Sequence, residues 1–126
     1  MNKKCKLDVT IIDATFLKDA DMFGKQDPYI KFKYGRGEFA TTVKDDAGKY
    51  AKWNEKFTLS SIEKWHDSDF VLEAMEKDLA SSDFLGSIKP IKFRELTSWE
   101  GLVKHDLKMF DEKNKVCGSI KFTTLL

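Results

Sequence analysis

Five acidic side chains are concentrated in two short segments, and together they could bind a metal ion. They are Asp21 and Asp27 in the first acidic loop (residues 19–29), and Glu76, Asp78 and Asp83 in the second acidic loop (residues 76–86). Calcium prefers roughly six to eight hard oxygen ligands, which carboxylates supply. Five carboxylates gathered without a cation would repel one another, whereas two calcium ions would nearly balance their charge. The residues therefore predict a calcium site shared by the two loops.

Other kinds of chemistry are poorly supported. The Asp-x-Asp-x-Asp-Gly pattern of an EF-hand is missing. Two cysteines, Cys5 and Cys117, and two histidines, His66 and His105, are too few and too far apart for a disulfide framework or a zinc site. The sequence also lacks a Gly-x-Ser-x-Gly elbow, a His-Glu-x-x-His motif and a phosphate-binding loop, so we do not expect an enzyme.

The elements that must position the acidic loops are short strands. Apolar and polar residues alternate, as in Leu7, Val9 and Ile11, and turn residues separate the runs. This pattern predicts an all-β protein, an eight-stranded antiparallel β-sandwich. The predicted strands cover residues 7–11, 30–34, 38–43, 53–59, 70–75, 84–93, 102–110 and 118–125. Helical periodicity is weak, and residues 60–66 and 93–99 are expected to form single turns at most.

Length and charge limit the class of protein. The 126 residues suit a single domain over residues 1–126, and the net charge of +1 argues against nucleic-acid binding. The sequence has no apolar run long enough to span a bilayer, no signal peptide and no lipidation motif. We therefore expect a cytoplasmic protein whose contact with membranes is peripheral and reversible.

At this point the residues resemble a known family. Residues 21–31 (DMFGKQDPYIK) are similar to the first calcium loop and following strand of C2 domains, which bind calcium and lipid. Residues 53–57 (WNEKF) resemble the Trp-Asn-Glu-x-Phe signature of that family, and residues 83–86 (DFLG) resemble the end of its third loop. The resemblance extends over about residues 5–125.

The resemblance implies a ligand set and a topology. The metal positions of the family fall on Asp21, Asp27, Glu76, Asp78 and Asp83. Two departures bear on whether one or two calcium ions bind: Glu76 stands where aspartate is usual, and the second acidic loop is one residue shorter than in common members. The order of strands implies the type II form, in which the last strand pairs antiparallel with the first.

The resemblance also implies a membrane-binding surface. The apolar loop tips expected to insert are Met22, Phe23 and Leu79, and Lys25 and Lys77 could contact headgroups. Lys31 and Lys33 point outward on the second strand, and with Lys44, Lys49 and Lys52 could form a basic face for phosphatidylserine or phosphoinositides. A solvated strand face explains those lysines equally well.

The function expected from the sequence is calcium-dependent binding to anionic phospholipid membranes by a monomer. The alternative is a C2 fold used for contact with protein partners, in which calcium binds weakly or is only structural. Glu76 and the shortened loop keep this alternative open.

Overall fold

The computed structural model describes residues 6–17, 26–60, 62, 67–77 and 82–126. These residues form eight strands and one short helix. The strands are β1 (Lys6–Phe16), β2 (Pro28–Tyr34), β3 (Gly37–Ala40), β4 (Tyr50–Ser60), β5 (Val71–Lys77), β6 (Ser82–Ser87), β7 (Leu102–Phe110) and β8 (Val116–Leu125), and the helix is α1 (Phe93–Leu96). With only four residues, α1 is too short to cross a membrane, and the described part of the chain has no helix that could.

The strands form two antiparallel groups of four. The hydrogen-bonded order is β3-β2-β5-β6-β7-β8-β1-β4, and in the part of the chain that the structure describes the two groups meet at one pair, Ser87 of β6 with Phe110 of β7. β8 pairs antiparallel with β1 from Gly118 opposite Phe16 to Leu125 opposite Asp8. The predicted eight-stranded sandwich of type II topology is therefore confirmed.

The alternation read from the sequence places one face of each strand in a shared core. In β2, Ile30, Phe32 and Tyr34 are buried, whereas Lys33 between them is exposed. The aromatic rings bridge the two groups of strands: the Phe70 centroid lies 5.5 Å from that of Phe32 and 5.4 Å from that of Phe122. Offset aromatic pairs of this kind add to the apolar burial that holds a sandwich together.

Two strands end earlier than the alternation predicts. The third was expected to reach Val43 but ends at Ala40, because the Thr41 side chain intervenes: its Oγ1 accepts a hydrogen bond from the Ile30 N–H at 2.9 Å. The sixth was expected to reach Phe93 but ends at Ser87. Pro90 follows, and proline cannot donate a ladder hydrogen bond. The expected turn at residues 93–99 is confirmed as α1, while residues 63–66 lie outside the described part of the chain.

Antiparallel pairing sets the direction of every strand. β1, β3, β5 and β7 run one way and the four even-numbered strands run the other way. The connections that follow β1, β3, β5 and β7 therefore share one end of the sandwich, here called the loop end. The start of β1 and the finish of β8 lie together at the opposite end, where Asp8 pairs with Leu125.

Candidate functional site

Three of the five predicted carboxylates come from adjoining backbone positions at the loop end. Pro28 of β2 pairs with Glu76 of β5, which pairs on its other side with Asp83 of β6. Asp27 precedes Pro28, and its carbonyl oxygen accepts a hydrogen bond from the Lys77 N–H at 2.9 Å. The two acidic loops are thus joined by main-chain pairing between the strands that flank them.

The other members of the predicted site lie outside the described residues. They are the carboxylates Asp21 and Asp78, the apolar tips Met22, Phe23 and Leu79, and Lys25. Among the described residues, no three acidic, histidine or cysteine side chains are grouped closely enough to hold a metal. The described carboxylates alone do not make up a metal site. Their donors are all oxygen, which suits calcium and not zinc.

The connection between β3 and β4 contacts the first acidic loop directly. Asp27 Oδ1 accepts a hydrogen bond from the Asp46 N–H at 2.7 Å. Gln26 is fully buried, and its Nε2 donates to the Gly48 carbonyl at 2.8 Å. The Gln26 carbonyl accepts from the Ala47 N–H at 3.1 Å. These bonds hold one Asp27 oxygen and the backbone beside it in a fixed orientation.

Sequence reasoning did not assign Gln26 or Asp46 to the site. Asp46 belongs to the run Asp45-Asp46-Ala47-Gly48, whose residue types predict a turn between the predicted strands 38–43 and 53–59. The available signal was topological, because a turn after an odd-numbered strand lies at the same end as both acidic loops. Gln26 gave no such signal, because a glutamine within an acidic loop is ordinarily exposed to solvent.

Apolar side chains are exposed at the loop end and were also missed; Tyr50 and Val116, at the starts of β4 and β8, are 49% and 43% exposed. Leu17, just after β1, is 61% exposed, and Phe84, near the start of β6, is 41% exposed. Leu17 is held in place by its N–H, which donates to the Cys117 carbonyl at 2.9 Å. Single exposed apolar side chains are normal on a protein surface, so Leu17 and Phe84 are relevant here only because they lie at the same end as the carboxylates.

The predicted basic residues lie in different parts of the sandwich and have different neighbours. Lys77 ends β5 at the loop end and is exposed. Lys31 and Lys33 lie on the outer face of β2, but Lys31 is opposite Glu73, and the Lys33 Nζ is 3.9 Å from a Glu38 carboxylate oxygen. Lys52 lies on β4, in the other group of strands, opposite Asp13. The lysines of the predicted basic face are thus interleaved with acids.

The β7–β8 turn adds two lysines to the loop end. Asp111 Oδ1 accepts hydrogen bonds from the Lys113 N–H at 2.9 Å and the Lys115 N–H at 3.0 Å. These N–H donors, that of Lys115 above all, lower the pKa of the Asp111 carboxyl. The turn is fixed by a charged cap, and both lysine side chains stay exposed.

Comparison with known proteins identifies relatives in plants. The chain is 32% identical over 84 residues to "16 kDa phloem protein 1" of Arabidopsis thaliana and 33% identical over 116 residues to "Elicitor-responsive protein 1" of Oryza sativa. It is 31% identical over 105 residues to a "Calcium-dependent lipid-binding protein" of Arabidopsis thaliana. These matches cover 64%, 87% and 82% of this chain, and the chain spans 54%, 72% and 19% of the respective relatives.

Solved structures agree on the fold. A C2 domain of plant Extended Synaptotagmin 1 superposes with a TM-score of 0.81 at 19% identity, covering 95% of this chain and 92% of that one. The calcium-bound tandem C2 domains of Extended-Synaptotagmin 2 give a TM-score of 0.77 at 25% identity, covering 95% of this chain and 44% of that one. A family model described as "C2 domain" matches residues 5–107. The chain belongs to the C2 domain family.

Proposed function

We propose that this chain binds anionic phospholipid membranes through its loop end when calcium rises, and that it has no catalytic activity of its own. One observation carries the proposal: Asp27, Glu76 and Asp83 come from adjoining positions at the end where Leu17 and Phe84 are exposed. Support also comes from a relative named as a calcium-dependent lipid-binding protein and from a calcium-bound structural neighbour.

The residues that would hold calcium are the five predicted carboxylates. Asp21 and Asp27 would contribute from the first acidic loop, and Glu76, Asp78 and Asp83 from the second. One or two ions would supply positive charge and open coordination positions for lipid phosphate oxygens. Before binding, the carboxylates repel the anionic cytoplasmic leaflet, so the loop end stays away from it.

Apolar insertion would then keep the loop end on the membrane. Leu17 and Phe84 are exposed at the same end and would add to the contribution proposed for Met22, Phe23 and Leu79. Partial burial of these side chains contributes a few kcal/mol in total, at about 25 cal/mol per Å². An anchor of that strength is reversible, which suits a monomer recruited from the cytoplasm.

Basic side chains would supply the contacts with lipid headgroups. Lys25 and Lys77 are next to the acidic residues in sequence, and Lys113 and Lys115 belong to the β7–β8 turn at the loop end. Lys31 and Lys33 lie further along β2, where a headgroup must compete with Glu73 and Glu38. Phosphatidylserine or a phosphoinositide fits this distribution of charge.

The proposal is tested by sedimentation with phosphatidylserine vesicles in calcium and in chelator. Asp27→Asn should abolish most calcium-dependent sedimentation, because it removes one of the five carboxylate charges proposed to hold calcium. Asp106→Asn is the matched control, since Asp106 is an exposed acid on β7 that lies opposite Lys121. Equal sedimentation of the wild type with and without calcium would overturn the proposal.

Calorimetric titration with calcium addresses the role of Glu76. The stoichiometry should be one or two in the wild type, and Glu76→Gln should reduce either the stoichiometry or the affinity. A wild type that gives no heat with calcium would instead favour the alternative, a C2 fold that contacts protein partners.

A further inference from the structure

The two edges of β7 are paired very differently. β8 pairs with β7 along its whole length, from Leu102 to Phe110. On the other edge, the described residues form one pair, Phe110 with Ser87. Alternate residues of an antiparallel strand direct their N–H and C=O groups to opposite edges. Roughly half of the backbone groups between Leu102 and Met109 therefore face away from β8, toward an open seam between β6 and β7.

The seam is open because the residues that follow β6 form backbone hydrogen bonds with β5 and the residue before it, and not with β7. The Ile88 N–H donates to the Leu72 carbonyl at 3.1 Å. Phe70 and Ile91 exchange two backbone bonds of 2.8 and 3.0 Å. Pro90, between them, has no N–H to offer β7. The gap is thus built into the fold by the pairing of residues 88–91.

A cleft of about 340 Å³ occupies this seam, here called the β7 cleft. Ile88, Ile91 and Leu107 give it an apolar lining. The His105 ring also contributes to the lining; it is stacked on Phe122 with centroids 4.5 Å apart, and its Nε2 is 3.1 Å from Thr124 Oγ1. A cleft of this volume and lining accommodates a few side chains of an extended segment.

Cations outnumber anions around the β7 cleft. The Lys89 Nζ lies 5.0 Å from the centroid of the Phe110 ring, which holds the ammonium group beside the Ser87–Phe110 pair. Lys108 lines the cleft on β7, and among the described residues that line it Glu95 of α1 is the one acid. The complementary ligand therefore carries negative charge beside apolar side chains.

We propose that the β7 cleft binds an extended peptide segment of a partner protein, which pairs with the free edge of β7 and places acidic side chains near Lys89 and Lys108. The backbone N–H and C=O groups at this edge can form strand-to-strand hydrogen bonds with a peptide and not with a lipid, so they favour a peptide. This activity is separate from membrane binding, since the β7 cleft uses none of the residues assigned to the loop end and needs no calcium.

Amide-resolved NMR on the whole chain in chelator tests the proposal. The probe is a synthetic peptide with alternating valine and glutamate, and the matched control peptide alternates valine and lysine. We expect the acidic peptide to shift the amides of β7 and of residues 88–91 and to slow hydrogen exchange along β7. If neither peptide shifts these amides, or if both do so equally, the proposal is wrong.

Charge reversal provides the second arm. The double variant Lys89→Glu, Lys108→Glu should bind the acidic peptide roughly tenfold more weakly and prefer the basic peptide. The control is Lys6→Glu, Lys56→Glu on the exposed faces of β1 and β4, which should bind like the wild type. Thermal unfolding of both double variants establishes that they are folded. Unchanged peptide binding by the cleft variant would overturn the proposal.

A third arm separates this proposal from membrane binding. Asp27→Asn should lose sedimentation with phosphatidylserine vesicles and keep its affinity for the acidic peptide. The cleft variant should show the reverse pattern. If the cleft variant loses vesicle binding and the wild type binds no peptide, the cleft takes an anionic lipid and the proposal is wrong.

Discussion

The β1–β8 ladder and the β6–β7 seam join neighbouring strands of this sandwich in opposite ways. The ladder pairs eight residues of β1 with β8, whereas the seam has one pair among the described residues. A glycine permits close approach at each. A Cβ on Gly118 would lie 2.3 Å from the Thr15 carbonyl oxygen, and a Cβ on Gly86 would lie 2.4 Å from Cys117 Sγ. The atom that a new Cβ would meet belongs to the backbone at the ladder and to a side chain at the seam.

The comparison teaches where this fold can tolerate change. A ladder fixes the positions of backbone atoms, so a steric clash there cannot be relieved without breaking hydrogen bonds. A seam that depends on side chains can be repacked. We therefore expect the ladder to determine stability and the seam to be free for binding.

The largest effect should come from Gly118→Ala in the ladder. The new methyl group meets the Thr15 carbonyl oxygen, and the two strands can separate only by losing pairs, so we expect a loss of about 3 kcal/mol in the free energy of unfolding. Chemical denaturation measures it. Ser119→Ala, at the next residue on the outer face, should change stability by less than about 0.5 kcal/mol. A loss below about 1 kcal/mol for Gly118→Ala would contradict the comparison.

Gly86→Ala should cost less, about 2 kcal/mol, and should be rescued by a second substitution. Cys117→Ala removes the sulfur atom that the new methyl group would meet. The double variant should recover at least half of the loss, so that the two changes are strongly non-additive. Cys117→Ala alone is the control, and it removes a weak hydrogen bond from Sγ to the Leu85 carbonyl. Simple additivity would mean that the backbone is the obstacle at the seam too.

A smaller effect should appear as a pH dependence at His105. Burial lowers the pKa of His105 from its ordinary value of 6.5, against a smaller opposite influence of the hydrogen bond to Leu96. The unfolded chain then binds the proton more readily than the folded chain. Stability should therefore be full above pH 6.5 and decrease as the pH falls from there through the folded-state pKa.

The variant His105→Gln isolates this contribution, because it can keep a donor to Leu96 or Thr124 without titrating. The difference in unfolding free energy between wild type and variant, measured from about pH 7.5 to about pH 5, should shrink as the pH falls. A difference that stays constant over that range would show that His105 does not lose stability by protonation.

The smallest effect should come from Lys89→Gln at the seam. The substitution removes the ammonium group above the Phe110 ring, a cation–π contact that is worth about 0.5 kcal/mol at an exposed site. Denaturation should show a loss of that size, and Lys104→Gln on the exposed face of β7 should show none. A loss above about 1 kcal/mol would mean that the seam depends on this contact for stability, contrary to the comparison.

The fold could be predicted from the sequence wherever local pattern decides it. The alternation over residues 102–110 predicted the bounds of β7 correctly. The sixth strand was predicted too long, because tertiary pairing and not local pattern decides where it ends. Ile88 and Ile91 continue an apolar pattern, but their pairing with Leu72 and Phe70 is a tertiary choice that no local period encodes. The same choice opens the seam, so the β7 cleft could not have been foreseen.

The candidate site likewise has one part that could be predicted from the sequence and another that only the tertiary fold determines. The adjoining positions of Asp27, Glu76 and Asp83 follow from the strand order that the family resemblance implies. The hydrogen bond from Asp46 to Asp27 joins residues 19 apart in sequence, and its geometry depends on how the β3–β4 connection folds over Gln26. Exposure of Leu17 and Phe84 likewise depends on neighbours brought in by the fold, since the type of residue alone does not decide whether a side chain is buried.

The pairing of Asp8 with Leu125 has a practical consequence for measuring how the domain sits on a surface. The start of β1 and the finish of β8 both lie on the side away from the acidic loops. The eleven residues of β1 span about 35 Å at ~3.3 Å per residue. A fluorophore attached beside either of these strand ends would stand at about that height above a docked bilayer. Energy transfer to a labelled lipid would then distinguish an upright domain from one lying on its β2 face.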